Sequence, residues 1–218
     1  MTDTTARRYD SSLRRARAGE TRATVLAAAT RLFVERGWTG TSMRDVARAA
    51  GCAVETVYAT VGTKRNLLEV VVDVAVVGDD EPVPLLERPE FLAISEGDPR
   101  QRAEAFARLG TPIYRRTARL HRVLVEAANT DSELAEFADR DYAAYRTSMR
   151  ACLHSVAGRP ITDDEFDTVC AVLGREVYLQ LTERSGWTDD RYRIWVADIV
   201  LRLLDLVPER KPWPPTPH

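Results

Sequence analysis

A chain of 218 residues, 44% apolar and 29% charged, is long enough to bury a substantial core and has the composition of an ordinary soluble globular protein. Its 31 basic and 33 acidic side chains nearly balance, yet residues 1–65 hold 12 Lys/Arg against 6 Asp/Glu while residues 66–218 hold 19 against 27. A basic front on an acidic body is the layout expected when one end of a protein meets a polyanion. Cys52, Cys152 and Cys170 are odd in number and far apart, which excludes a disulfide framework or a zinc ribbon and points to a reducing, cytoplasmic home. No apolar segment targets or spans a membrane, because the longest apolar stretch, Leu67 to Val77, is broken by Glu69 and Asp73.

In chain order, residues 1–19 form a flexible basic arm with five arginines, read either as a solvated tail or as a strap for phosphates and a minor groove. From about Thr21 to Arg36 a helix is expected, since Val25, Leu26, Ala29, Leu32 and Phe33 make one apolar stripe that Gly37 ends. Two short helices follow at a tight turn. Ser42 and Asp45 have the spacing of a capping box, and Met43, Val46, Ala47 and Ala50 lie on one face before Gly51. Val54, Val57, Tyr58 and Val61 then stripe the second helix, so the pair reads as a helix-turn-helix whose second member enters a major groove. Thr63 caps a further helix to Val77, with Leu67, Leu68, Val71, Val72 and Ala75 on one face, and residues 78–84 are a break.

Residues 85–98 are weakly patterned, with a short helix around Phe91 and Ile94. A helix from Pro99 to Asn129 should kink or restart at Pro112, which lacks the N–H of an interior position. Thr130 and Glu133 suggest a capping box for a helix to Val156, and Thr162 and Glu165 another for a helix to about Arg184. The last helix runs from Gly186-Trp187-Thr188 to Val207, ahead of a Pro-rich, disordered tail at 208–218. Val172, Leu179, Ile194, Val200, Leu201 and Leu203 widen the apolar faces of the last two helices beyond one stripe. Such helices are buried on two sides, either by a second copy of the chain or by the monomer's own core.

The segment from Val25 to Leu68 resembles the DNA-binding region of the tetracycline-repressor family of bacterial transcription regulators. The resemblance rests on Ala28-Ala29 with Leu32-Phe33, Gly37-Trp38, Gly40-Thr41-Ser42-Met43, Asp45-Val46-Ala47, Ala50-Gly51, Thr56-Val57-Tyr58, and Lys64 with Leu67-Leu68. It implies an all-α protein with a helix-turn-helix domain at 20–66 and a larger helical ligand-binding and dimerisation domain at 67–207. The implied partners are an operator in double-stranded DNA, a second copy of the chain and an unknown small-molecule effector, with release of a repressor by that effector. Thr41 or Ser42, Tyr58 and Lys64 would meet phosphates, with Arg44 beside them on the first motif helix, and Val54, Glu55, Thr56 and Ala59 would face base edges. Tyr114, His121, Tyr142, Tyr145, Met149, Arg175 and Tyr178 would line the effector site, although aromatic residues at helical spacing also read as plain core.

There are departures from the family pattern. Ala53 stands where a capping Ser or Thr is usual, a loss of about 1 kcal/mol of helix stability. The reading face from Val54 to Thr60 has no Arg, Lys, Asn or Gln, which leaves open a second reading: a binding scaffold of the same fold with weak DNA affinity. No catalytic constellation, cofactor loop or metal-ligand spacing is present, so neither an enzyme nor a cofactor or metal protein is expected.

Overall fold

The computed structural model describes residues 3–78 and 83–206, with side chains from residue 17 onward. Among the described residues the chain is all-α: α1 (Asp3–Arg36), α2 (Met43–Ala50), α3 (Val54–Val61), α4 (Lys64–Val77), α5 (Pro89–Leu92), α6 (Pro99–Ala128), α7 (Ser132–Ala157), α8 (Asp163–Val172), α9 (Arg175–Leu179) and α10 (Asp189–Leu203). Single turns of 3₁₀-helix flank α5, and a π-helical turn, Gln180–Arg184, follows α9. The Pro-rich tail at 208–218 and Val207, where the last helix is expected to end, lie outside the described residues, and α10 ends at Leu203.

Two compact units divide the chain, and the division is not sequential. The first takes Met1–Ala75 together with Arg119–Asp139, the second Val76–Ala118 and Arg140–His218. The reason is apolar burial. Val25, Phe33, Val46, Val57, Leu67 and Leu68 form one core with Leu120, Leu124, Ala127 and Leu134, each fully buried or nearly so. At about 1.5–3 kcal/mol for each large apolar side chain removed from water, the end of α6 and the start of α7 contribute as much to this core as α2 and α3 do. The sequence reading divided the chain near residue 66 and left 119–139 to the larger domain. Helix α1 begins at Asp3, inside the stretch read as a basic arm.

The second unit packs α6, α7, α8 and α10 around Phe106, Tyr114, Leu153, Phe166, Val169, Tyr192 and Val200. Val200, Leu201 and Leu179, expected at a subunit interface, are 0%, 5% and 2% exposed within this chain, and so belong to its own core. Their apolar faces lie in one cluster with residues of α6, α7 and α8. Val172 and Leu203 are half-buried against that core, and Ile194 alone of the six is largely exposed.

Three local expectations are corrected. Helix α6 runs unbroken through Pro112; Ala103, Phe106 and Ala107 on one side and Tyr114 and Ala118 on the other are buried, and that burial carries the helix across the missing N–H. The cap of α7 is Asp131, whose Oδ1 accepts from the backbone N–H of Glu133 and Leu134, while the Thr130 hydroxyl turns back to the Ala127 carbonyl. The helix opened by the Thr162–Glu165 capping box stops at Val172, where Gly174 adopts an extended backbone before α9.

Candidate nucleic-acid interface

The helix-turn-helix is built from α2 and α3. Ser42 accepts from the Asp45 backbone N–H, and the Asp45 carboxylate accepts from the Ser42 N–H in return, the reciprocal box its spacing predicts. The Ser42 hydroxyl bond holds the Asp45 carboxyl below its ordinary range, aided by Arg48 and Arg36. Gly51 closes α2 at φ 67°, a left-handed conformation that suits glycine, and its N–H returns to the Ala47 and Arg48 carbonyls. Helix α3 has no side-chain cap at Ala53, as the sequence indicates. Its far end is tied by Arg22 of α1, which donates to the Thr60 carbonyl, a cation on the negative end of a helix.

The residues proposed to meet DNA fall into two groups. Arg44, Glu55, Tyr58 and Ala59 are exposed, Tyr58 by 52%, and Ser42 is exposed although its hydroxyl is committed to Asp45. Val54 and Thr56 are half-buried, Val54 against the first unit's core. Thr41 is different: it is 2% exposed, and its hydroxyl donates inward to the Gly37 carbonyl at 2.9 Å and the Leu32 carbonyl at 3.1 Å. Its side chain therefore cements the turn between α1 and α2 and does not face a phosphate.

Lys64, at the start of α4, is half-buried. Its ammonium donates to the Trp38 carbonyl and lies 4.0 Å from the centre of the Trp38 ring, which itself stacks on Phe33. Burial lowers its pKa from the ordinary lysine value, and the nearby Glu126 carboxylate acts in the opposite direction. Glu126, near the end of α6, also accepts from the Trp38 N–H at 3.4 Å and the Thr39 hydroxyl at 3.3 Å. A Cβ on Gly37 would sit 2.8 Å from its Oε2, the movable end of a long side chain, so glycine there is set by φ 71°. Arg65 reaches the same end of α6 and α7, pairing with Asp131 at 2.9 Å and Glu133 at 2.7 Å. Arg22, Glu126 and Asp131 escape sequence reasoning because their partners lie 38 to 88 residues away along the chain.

The residues expected around an effector separate. Tyr114, Met149 and Tyr178 are buried in the second unit, with Tyr145 half-buried beside them. The Tyr114 and Tyr145 hydroxyls are 3.2 Å apart, and Arg175 pairs with Asp141 at 3.2 Å while lying 4.9 Å from the Tyr145 ring centre. Burial pushes the Tyr145 phenol up to about 12 and also raises Tyr114 well above the ordinary tyrosine value. His121 falls in the first unit, and Tyr142 is 50% exposed, stacked on Tyr145 from outside the buried group. Tyr192, which is not in the set expected around an effector, joins the buried aromatic group edge-on to Tyr178 at 4.9 Å. Among the described residues, no group of three or more His, Cys, Asp and Glu is arranged to hold a metal ion, and no helix is long and apolar enough to cross a membrane.

Two short helices around a glycine turn, with the second presenting Glu55, Tyr58 and Ala59 outward from a buried frame, form a helix-turn-helix unit. Residues 25–71 match the family model of bacterial regulatory proteins, tetR family. No curated protein matches the chain. Among solved structures it is similar to a putative TetR-family transcriptional regulator from Mesorhizobium loti, at 20% identity and a TM-score of 0.64 over 87% of this chain and 98% of that one. A member of the TetR family from Streptomyces coelicolor matches at 23% identity and a TM-score of 0.59, over 84% and 98%. The transcriptional regulator FadR from Bacillus subtilis, solved in complex with stearoyl-CoA, matches at 16% identity and a TM-score of 0.60, over 84% and 96%. Residues 25–71 thus match the tetR family model, and the chain shares its fold with solved tetR-family regulators.

Proposed function

We propose that the protein is a homodimeric repressor whose two helix-turn-helix units bind half-sites of an operator and which a small molecule in the second unit releases. The observation that carries the DNA-binding part is the exposed face of α2 and α3, with Arg44 and Tyr58 outward and a basic α1 beside them, on a core that fixes their spacing. Tyr58 carries a hydroxyl on a rigid ring and Arg44 a guanidinium, the groups that position a protein on phosphates. Lys64 is a third phosphate anchor once its ammonium leaves the Trp38 carbonyl. A fold-sharing regulator that holds stearoyl-CoA supports a ligand-responsive second unit. The ligand favours release only by binding the DNA-free geometry more tightly.

The test is fluorescence anisotropy on fragments from the protein's own upstream region, across a salt series. Binding should weaken steeply with salt, and removing one phosphate contact by Arg44→Ala or Lys64→Ala should flatten the slope of log K against log salt by about 0.9 each. The uncapped α3 and its lack of Arg, Lys, Asn and Gln favour a second reading, a ligand-binding scaffold with weak DNA affinity. Salt-insensitive or absent binding to every fragment would decide for the scaffold.

A further inference from the structure

Within the second unit, four tyrosines close on one another. Tyr114 and Tyr178 lie 6.1 Å apart between ring centres, Tyr178 and Tyr192 4.9 Å, and the Tyr114 hydroxyl meets that of Tyr145. Three of the four hydroxyls are committed. Tyr114 and Tyr145 share a hydrogen bond, and Tyr178 donates to Asp189 at 2.8 Å. The fourth is not: Tyr192 is 1% exposed, and its hydroxyl is buried without a hydrogen-bond partner. Its ring lies edge-on to Tyr178, and its pKa is raised by burial and then by the Tyr145 and Tyr178 phenols. A buried hydroxyl left without a partner is unfavourable and marks a place where an acceptor is missing.

The charges around it are already balanced. Arg175 and Asp141, with side chains 11% and 10% exposed, form an ion pair over the Tyr145 ring, and Asp189 pairs with Arg115 at 3.3 Å. A ligand carrying its own charge would enter an aromatic region whose flanking charges, Arg175 with Asp141 and Arg115 with Asp189, are already paired with one another, at a large desolvation cost. The chain beside the group is irregular on both sides of Tyr178. Helix α8 breaks at Gly174, α9 lasts only from Arg175 to Leu179, and a π-helical turn follows at Gln180–Arg184. π-Helical turns of this kind appear frequently at functional sites.

We propose that Tyr114, Tyr145, Tyr178 and Tyr192 form the inner wall of a site for an uncharged, flat aromatic molecule bearing a carbonyl-type acceptor, which takes the unpartnered Tyr192 hydroxyl. This rests on the ligand-responsive reading above and gives it a ligand class. Ring faces supply the apolar contact, Tyr192 supplies orientation, and the Arg175–Asp141 pair disfavours anions and cations alike.

The experiment uses the full chain and three probes of one skeleton: 1-tetralone, tetralin and 1,2,3,4-tetrahydro-1-naphthoate, titrated by saturation-transfer NMR. The ketone should bind about 3- to 10-fold more tightly than the hydrocarbon, the value of one hydrogen bond, and the carboxylate more weakly than either. Tyr192→Phe should lower ketone affinity to that of tetralin while leaving tetralin within twofold. Independently of any variant, the infrared carbonyl stretch of ¹³C-labelled tetralone should move to lower wavenumber when bound. Absence of ketone binding, preference for the carboxylate, an unshifted carbonyl, or a Tyr192→Phe protein that keeps its ketone preference would each overturn the assignment. If the ketone binds in the expected pattern but leaves a DNA complex intact, the site stands and the ligand-release reading fails. If a charged compound releases DNA while the ketone does not bind, the reverse holds.

Discussion

Replacing Thr41 by valine removes one hydroxyl and adds a methyl at a site only 2% exposed. The hydroxyl has a single proton, which serves the Gly37 carbonyl at 2.9 Å and the Leu32 carbonyl at 3.1 Å in turn. A net hydrogen bond contributes about 0.5–1.5 kcal/mol, and leaving a buried acceptor unsatisfied costs about 1–3 kcal/mol, so Thr41→Val should destabilise by about 1–2 kcal/mol. For a chain of this size that lowers Tm by about 3–6 °C, readable by circular dichroism. Thr41→Ser keeps the hydroxyl and loses one methyl, a loss of about 1 kcal/mol. Because the hydroxyl faces inward, the salt slope of DNA binding by folded Thr41→Val should equal that of the parent. An unchanged Tm together with a slope shallower by about 0.9 would show that Thr41 reaches a phosphate, and the inward assignment would be refuted.

The Glu165 carboxyl is held near a pKa of about 2, against an ordinary 4.5, first by the Arg159 guanidinium and then by the Thr162 backbone N–H. Since its folded value lies below its unfolded one, the stabilisation is complete above pH 4.5 and disappears as the pH falls towards 2. The Tm gap between parent and Glu165→Gln should therefore close across that window, and a gap constant with pH would contradict a charge origin. Ile194→Asp, on the one wide-face residue that is 53% exposed, should convert a dimer to monomers in sedimentation velocity with unchanged helical content. Persistence of the dimer would place the interface elsewhere. Val200→Asp is no substitute test, because Val200 is fully buried and a charge there unfolds the second unit.

How much of this was legible in the sequence depends on the reach of each interaction. Signals carried within one turn of helix read correctly: the Ser42–Asp45 and Thr162–Glu165 boxes, the stop at Gly51, the cap at Thr63 and the bare cap at Ala53. The cap of α7 was misplaced by one residue because Thr130, Asp131 and Ser132 are all competent, and Arg65, far away in sequence, selects Asp131 by pairing with it. Gly174 was read through because an apolar stripe continued past it, yet a glycine inside a helix is disfavoured by about 1 kcal/mol relative to alanine and here ends one. For Pro112 the balance went the other way, burial outweighing the local penalty. The wide apolar faces of α8 and α10 gave the need for a second burying surface, but periodicity alone does not distinguish a neighbouring helix of the same chain from a second copy. That is why Leu179, Val200 and Leu201 were assigned outward. Tyr192 was missed as a site residue for the same reason: a phenol on an apolar stripe looks like core until its hydroxyl is seen to have no partner.

The discontinuity of the DNA-binding unit bears directly on regulation. Its core includes Leu120, Leu124, Ala127 and Leu134, so α6 and α7 are structural parts of the reading head. Glu126 and Asp131 on that segment hold the turn at Trp38-Thr39 and the first residues of α4, the backbone and side chains from which Lys64 works. In the proposed DNA complex Lys64 would exchange one set of partners, the Trp38 carbonyl and ring with the Glu126 charge, for a phosphate. Burial already weakens its charged form, whereas a phosphate restores it, so a small displacement of Glu126 changes what the lysine gains by turning to DNA.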